Sequence, residues 1–291
     1  MRKMKVGLST YSLQQALDRK ELTVPDAVRW IAEQGGQHVE IVPMGFSLID
    51  NPALIEEIKA TAREVGIDIS NYAIGANFAV QENAETLEEE IQSVMRHVDV
   101  AAALGVKRMR HDVAFRPAPE GTVAQFEADL PVIVKACQRI ADYAAGFGIT
   151  TSVENHGYYV QSSERIQRLL HETGRENFKT TLDIGNFLCV DEDPVSAVKN
   201  NIAHASIVHA KDFYWRPSTR NPGEGWFQTS HGNYLRGAIV GHGDIDMPEV
   251  FRVLKQSGYD GYISVEFEGM EDCRTASCIA MDNVRRLWDE V

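Results

Sequence analysis

Gly146-Phe147-Gly148-Ile149-Thr150-Thr151-Ser152-Val153-Glu154 holds, in nine residues, the unit from which the chain is built. A helical stretch runs into Gly, which ends a helix at little cost by taking the left-handed conformation. A β-branched run then enters a strand, and the strand ends on an ionisable side chain. The same junction recurs at Glu64-Val65-Gly66-Ile67, Ala103-Leu104-Gly105-Val106, Glu172-Thr173-Gly174 and Gln256-Ser257-Gly258-Tyr259. Working outward from these junctions, eight strands are predicted, at about 4–10, 37–42, 67–74, 106–111, 149–154, 178–183, 205–210 and 261–267. Helices lie between them. Residues 52–65 place Leu54, Ile58, Ala62 and Val65 on one face, and residues 85–104 do so with Ile91, Val94, Val98 and Ala102. Strands joined by helix-length crossovers imply a parallel sheet covered by helices. Eight units in 291 residues fit a closed (β/α)8 barrel, one α/β domain over residues 1–291. An open nucleotide-binding sheet would carry a glycine-rich turn after its first strand; Ser9-Thr10-Tyr11-Ser12-Leu13 stands there instead.

Composition narrows the function. The chain is 44% hydrophobic and has a net charge of −13, from 29 Lys and Arg against 42 Asp and Glu. Such a surface repels phosphate backbones and anionic membranes, so neither nucleic acid nor membrane is expected as a partner. No apolar run approaches the roughly 18 residues of a membrane span. Cys137, Cys189, Cys273 and Cys278 are scattered with no C-x-x-C pair, the pattern of idle thiols in a reducing compartment. No signal-peptide run follows the basic N-terminus. The expectation is a soluble, cytoplasmic protein.

The chemistry sits where strands stop. Strand five ends Ser152-Val153-Glu154-Asn155-His156 and strand six ends Thr181-Leu182-Asp183-Ile184-Gly185-Asn186. Strand seven ends Val208-His209-Ala210-Lys211-Asp212 and strand eight ends Ser264-Val265-Glu266-Phe267-Glu268. Barrel active sites form at the C-terminal ends of the strands, so Glu154, Asp183, His209 and Glu266 should converge there. Three carboxylates that close raise one another's pKa unless a cation neutralises them. One divalent ion does so. The oxygen-rich donor set suits Mn²⁺ first, with Mg²⁺, Co²⁺ and Zn²⁺ as alternatives.

These motifs carry a resemblance. "SVENHG", "TLDIGNF", "VHAKDF" and "GHGDIDMPEVFRVLKQSGYDGYISVEFEG" are similar to the xylose isomerase-like TIM barrel superfamily, which includes ketose 3-epimerases, hydroxypyruvate isomerase, inosose dehydratase and endonuclease IV. The resemblance implies that Glu154, Asp183, His209 and Glu266 are metal ligands, and that Glu154 and Glu266 double as acid and base on opposite faces of a substrate. Asn186 stands where the 3-epimerases carry His, and Arg216 is the candidate for an Arg they carry after the strand-seven His. Relatives are often dimers or tetramers, which implies a homo-oligomer. Endonuclease IV uses three zinc ions and additional histidines that this sequence lacks.

Further candidates come from position. His111, with Arg110 and Asp112, ends strand four and is expected to face the site as a proton-transfer group or substrate contact. Lys211 shares the strand side of His209 and would stabilise an enolate oxygen. Glu40, His156, Asn186, Arg216 and Trp215 are candidate substrate contacts, and Trp226 and Tyr11 are candidates for stacking on a sugar ring or anchoring a loop. Residues 211–247 read as a long functional loop, and Gly241-His242-Gly243-Asp244 as a possible anion-binding nest. The favoured activity is isomerisation or epimerisation of a ketose, an aldose or a related polyol-derived carbonyl compound, the substrate being a small sugar or cyclitol. It would pass through a metal-stabilised enediolate. The alternative is elimination from the same intermediate, by a dehydratase or a lyase on 3-oxo-glycosides, with or without a partner subunit.

Overall fold

The computed structural model describes residues 4–291. In chain order the strands are β1 (Lys5–Ser9), β2 (His38–Ile41), β3 (Asp68–Ile74), β4 (Arg108–His111), β5 (Thr150–Glu154), β6 (Phe178–Asp183), β7 (Ala205–Ala210), β8 (Asp212–Arg216), β9 (Phe227–Gln228), β10 (Tyr234–Ala238) and β11 (Tyr262–Val265). Strands β1 to β7 and β11 close a parallel barrel in the order β1-β11-β7-β6-β5-β4-β3-β2. All eight expected barrel strands are present, and the fold is a single-domain (β/α)8 barrel.

The surrounding helices are α1 (Gln14–Asp18), α2 (Val24–Glu33), α3 (Pro52–Val65), α4 (Ala84–Leu104), α5 (Val123–Ala145), α6 (Ser163–Thr173), α7 (Pro194–Asn201), α8 (Met247–Gln256) and α9 (Cys273–Glu290). Local signals set their ends. Thr23 and Asp26 form a reciprocal capping box at the start of α2. Gly66 and Gly105 close α3 and α4 at φ 74° and 78°, a conformation that disfavours a Cβ. Helix rotation departs slightly from the expected faces. Ile55, Ile58, Thr61 and Ala62 are the buried residues of α3, and Ala101 rather than Ala102 is buried on α4. No helix among the described residues is long and apolar enough to cross a membrane.

Residues 211–247 correct the expectation of a loop. Strands β8, β10 and β9 form an antiparallel three-stranded sheet in that order. Phe213, Leu235 and Cys189 make a small core of their own, packed by Trp215, Phe227 and Tyr158. The alternation of Phe213 with Trp215, both apolar and two apart, is the strand signal in this stretch. Cations stack outside this core: the guanidinium carbons of Arg216 and Arg236 lie 5.5 and 5.7 Å from the Trp226 ring centre.

Candidate metal centre and active site

The pleat of the strands decides which side chains meet. In a parallel sheet, residues in register point to the same side. Asp183 is in register with His209 and His209 with Ser264, so Asp183, His209 and the continuing Glu266 all turn inward. Glu266 still hydrogen-bonds through its backbone N–H to the Ala210 carbonyl, 3.1 Å away. On β5, Glu154 turns inward beside them. One donor atom from each of Glu154, Asp183, His209 and Glu266 lies within 4.8 Å of the other three, and all four residues are buried.

His209 is held in one orientation from behind. Its Nε2 lies 2.9 and 3.1 Å from the two carboxylate oxygens of Glu40, and Asn71 Nδ2 donates to Glu40 Oε1 at 3.0 Å. Its Nδ1 faces the Oε1 atoms of Glu154 and Glu266 and Oδ2 of Asp183, at 3.7, 3.6 and 3.8 Å. This Nδ1 is buried and makes no hydrogen bond. A buried polar atom without a partner is costly. A ring nitrogen aimed into three carboxylates, where a divalent ion would displace its proton, with the other ring nitrogen donating to a carboxylate, is the arrangement of a metal-ligating imidazole. Asp183 Oδ2 is likewise buried without a hydrogen bond and has ion pairs to Lys211 at 3.1 Å and His209 at 3.8 Å. The donor set therefore fits a hard divalent cation.

Two cations flank the group. Arg110 Nη2 lies 2.6 Å from Glu154 Oε2, and Lys211 Nζ lies 2.6 Å from Glu266 Oε2 and 3.5 Å from Glu268. Asn186 bridges them: its Nδ2 donates to Glu154 at 3.1 Å, and its Oδ1 accepts from Lys211 at 3.2 Å. Gly185 permits this packing, because a Cβ there would fall 2.9 Å from Lys211 Cγ. Burial alone would raise the pKa of Glu154, but Arg110 and His209 hold it well below the usual carboxylate range. Burial does raise Glu266, against the pull of Lys211 and His209. For His209, burial opposes the charged form, but Glu40, Glu266 and Glu154 hold its pKa well above that of free imidazole.

A cavity of about 430 Å³ opens above the group, lined by Arg110, Glu154, Lys211 and Glu266 on the charged side. Tyr11, Asp112, His156 and Glu268 also line it. Tyr11 donates its hydroxyl to Glu268 at 3.2 Å. His156, half-exposed, lies 3.4 Å from Asp112. Burial works against its charged form, but the Asp112 carboxylate outweighs this and raises its pKa.

Four expectations are corrected by these positions. His111 does not face the cavity. It shares the pleat side of Met109, opposite Arg110, with its ring 6.0 Å from Phe78 and 6.1 Å from Phe178 and its Nδ1 3.0 Å from the Asp112 carbonyl. Arg110 takes the inward position. Glu40 is fully buried behind His209 rather than open to a substrate. Trp215 and Arg216 belong to the inserted sheet, where Arg216 pairs with Asp244 at 2.8 Å, and neither lines the cavity. The glycine turn at 241–243 does bind an anion, but the anion is the protein's own: the N–H groups of Gly241 and Gly243 both donate to Asp212 Oδ2 at 2.9 Å. Arg110 and Glu268 went unassigned in the sequence, although strict alternation from Glu266 reaches Glu268.

The model of the family described as xylose isomerase-like TIM barrel matches residues 28–287. The chain belongs to this family. Among curated members, an inosose dehydratase of Geobacillus thermodenitrificans is 27% identical over 145 residues, which is 49% of this chain and 48% of that protein. One from Clostridium perfringens is 24% identical over 196 residues, 62% of this chain and 64% of that protein. The chain thus spans between about half and two thirds of these relatives. The fold matches the crystal structure of D-psicose 3-epimerase from Clostridium cellulolyticum H10, with a TM-score of 0.73, 16% identity, and 98% and 99% of the two chains covered. Such relatives are enzymes. Within the family, a buried group of Glu, Asp and His able to hold a metal marks the barrel mouth as the candidate active site.

Proposed function

We propose that this chain is a divalent-metal-dependent enzyme that isomerises or epimerises a small sugar or cyclitol at carbons next to a carbonyl. The observation that carries the reading is the convergence of Glu154, Asp183, Glu266 and the unpartnered Nδ1 of His209 at the mouth of the barrel. Mn²⁺ is the ion we favour for this donor set. When bound there, a divalent ion supplies a Lewis acid for the carbonyl and orients the substrate's oxygens.

The chain's own residues then handle the proton. Glu154 and Glu266 sit on two sides of His209 and each has its own cation, Arg110 and Lys211. Glu154 is suited to take the α-proton as an ionised base, and Glu266 to return a proton at the other face or the neighbouring carbon. Lys211 brings a positive charge to the oxygen that becomes negative as the proton leaves. Asn186 keeps Glu154 and Lys211 in fixed relation, and Asp112 orients His156 at the cavity wall.

A second reading, elimination of water by a dehydratase, is favoured by the similarity to inosose dehydratases over half or more of the chain. With His111 turned away, His156 is the group placed to protonate a leaving hydroxyl. Mass spectrometry of products from ketoses, inososes and 3-oxo-glycosides with Mn²⁺ tests the choice. Reversible conversion without mass change supports isomerisation. A product lighter by one water, with no isomerised sugar, overturns it in favour of the dehydratase.

A further inference from the structure

The cavity has a second end. From the charged side it runs over the ends of β2 and β3, past Val42, Pro43, Met44 and Ile74, to His97 on α4. We propose that this arm is a subsite for an uncharged substituent, so that the substrate is a glycoside-like sugar or cyclitol derivative rather than a free monosaccharide, and that His97 reads the substituent through Nε2. The inference rests on the carbohydrate reading above.

Hydrogen-bond satisfaction fixes what His97 offers. Tyr72 has no exposed surface, and its hydroxyl lies 2.8 Å from His97 Nδ1. That nitrogen is the only hydrogen-bond partner of the hydroxyl among the described residues. A buried O–H donates where it can, so Nδ1 accepts and the ring proton sits on Nε2. Nε2 has no protein partner among the described residues. Burial, and then the neighbouring Arg96, lower the pKa of His97 below that of free imidazole, so the ring is neutral near pH 7. The arm therefore ends in one neutral N–H donor behind apolar walls, which suits a hydroxyl, ether or carbonyl oxygen on an apolar frame.

The charge pattern favours an uncharged substituent over an anionic one. Both fixed cations of the cavity are engaged: Arg110 with Glu154 and Asp112, and Lys211 with Asp183, Glu266 and Glu268. A phosphate or carboxylate would find no unpaired Arg or Lys among the residues that line the cavity.

The test is calorimetric binding to the Mn²⁺-loaded protein, which needs no turnover. Three probes share one carbonyl-bearing ring: 3-oxo-glucose, its 4-methoxyphenyl glycoside and its 4-carboxyphenyl glycoside. The methoxyphenyl glycoside is expected to bind at least tenfold tighter than the free sugar, and the carboxyphenyl glycoside to lose most of that gain. His97→Ala should reduce the preference roughly fivefold to tenfold, the worth of one neutral hydrogen bond, while leaving 3-oxo-glucose unaffected. His97→Gln should restore part of it, and Tyr72→Phe, which no longer holds the ring proton on Nε2, should lose part of it. Equal Mn²⁺-dependent binding of all three probes, or equal losses for all three in His97→Ala, overturns the subsite and leaves the metal reading standing. Binding of none of them, or binding indifferent to Mn²⁺, overturns both.

Discussion

The two halves of the barrel end their strands differently. β5, β6, β7 and β11 deliver Glu154, Asp183, His209 and Glu266 to one point. β2 and β3 run out into Val42, Pro43 and Ile74, which carry no charge. One backbone plan thus gives a reactive half and a shaping half, joined by Arg110 on β4 and by Glu40 on β2, which reaches across to His209. The contrast teaches that side chains at the ends of adjacent strands can converge closely enough to share one ion. On the proposal above, the facing strands decide what enters.

Substitutions on the reactive half should give the largest effects. Asp183→Asn or His209→Ala should abolish metal retention and reduce turnover to background. They should also remove the stabilisation by Mn²⁺, which for an ion at 100 times its Kd is about 2.7 kcal/mol and is read as a melting shift of several degrees on chelation. Glu154→Gln and Glu266→Gln should each lower kcat by about 10²–10⁴-fold, the range for a lost acid or base. A loss in KM alone would break the assignment of proton transfer to this half.

The joining residues come next. Glu40→Gln should weaken metal affinity about 10–100-fold, as loss of the carboxylate behind a ligating imidazole does. Metal titration followed by activity checks this, and unchanged affinity would reduce Glu40 to a packing role. The smallest kinetic effects belong outside the cavity. His111→Ala should cost stability, by roughly 3 kcal/mol as for removal of a buried aromatic ring, with kcat changed less than tenfold. Trp215→Ala and Arg216→Ala should leave kcat and KM within about twofold.

The sequence was most legible where a single residue type did two things at once. Glu154 and Asp183 each close a strand, His209 is the last residue but one of its strand and Glu266 follows directly on one, so a motif and a boundary were read together. Less legible was the side each residue faces. His111 and Arg110 are neighbours, and a shift of one residue exchanges inside for outside, so His111 was expected where Arg110 stands. The inserted sheet was hidden because β9 has only two residues and its proline- and glycine-rich surroundings read as a loop. His97 gave no signal at all. It lies in the middle of α4, and only packing against Tyr72 and the arm of the cavity shows what it reaches.

The central claim is that the reactive half holds one ion. Inductively coupled plasma mass spectrometry of the gently purified, Mn²⁺-equilibrated protein measures it directly, beside Asp183→Asn. The account predicts about one divalent ion per chain in the parent protein and almost none in the variant. No ion in the parent at saturating Mn²⁺, or three tightly held zinc ions per chain, would contradict it.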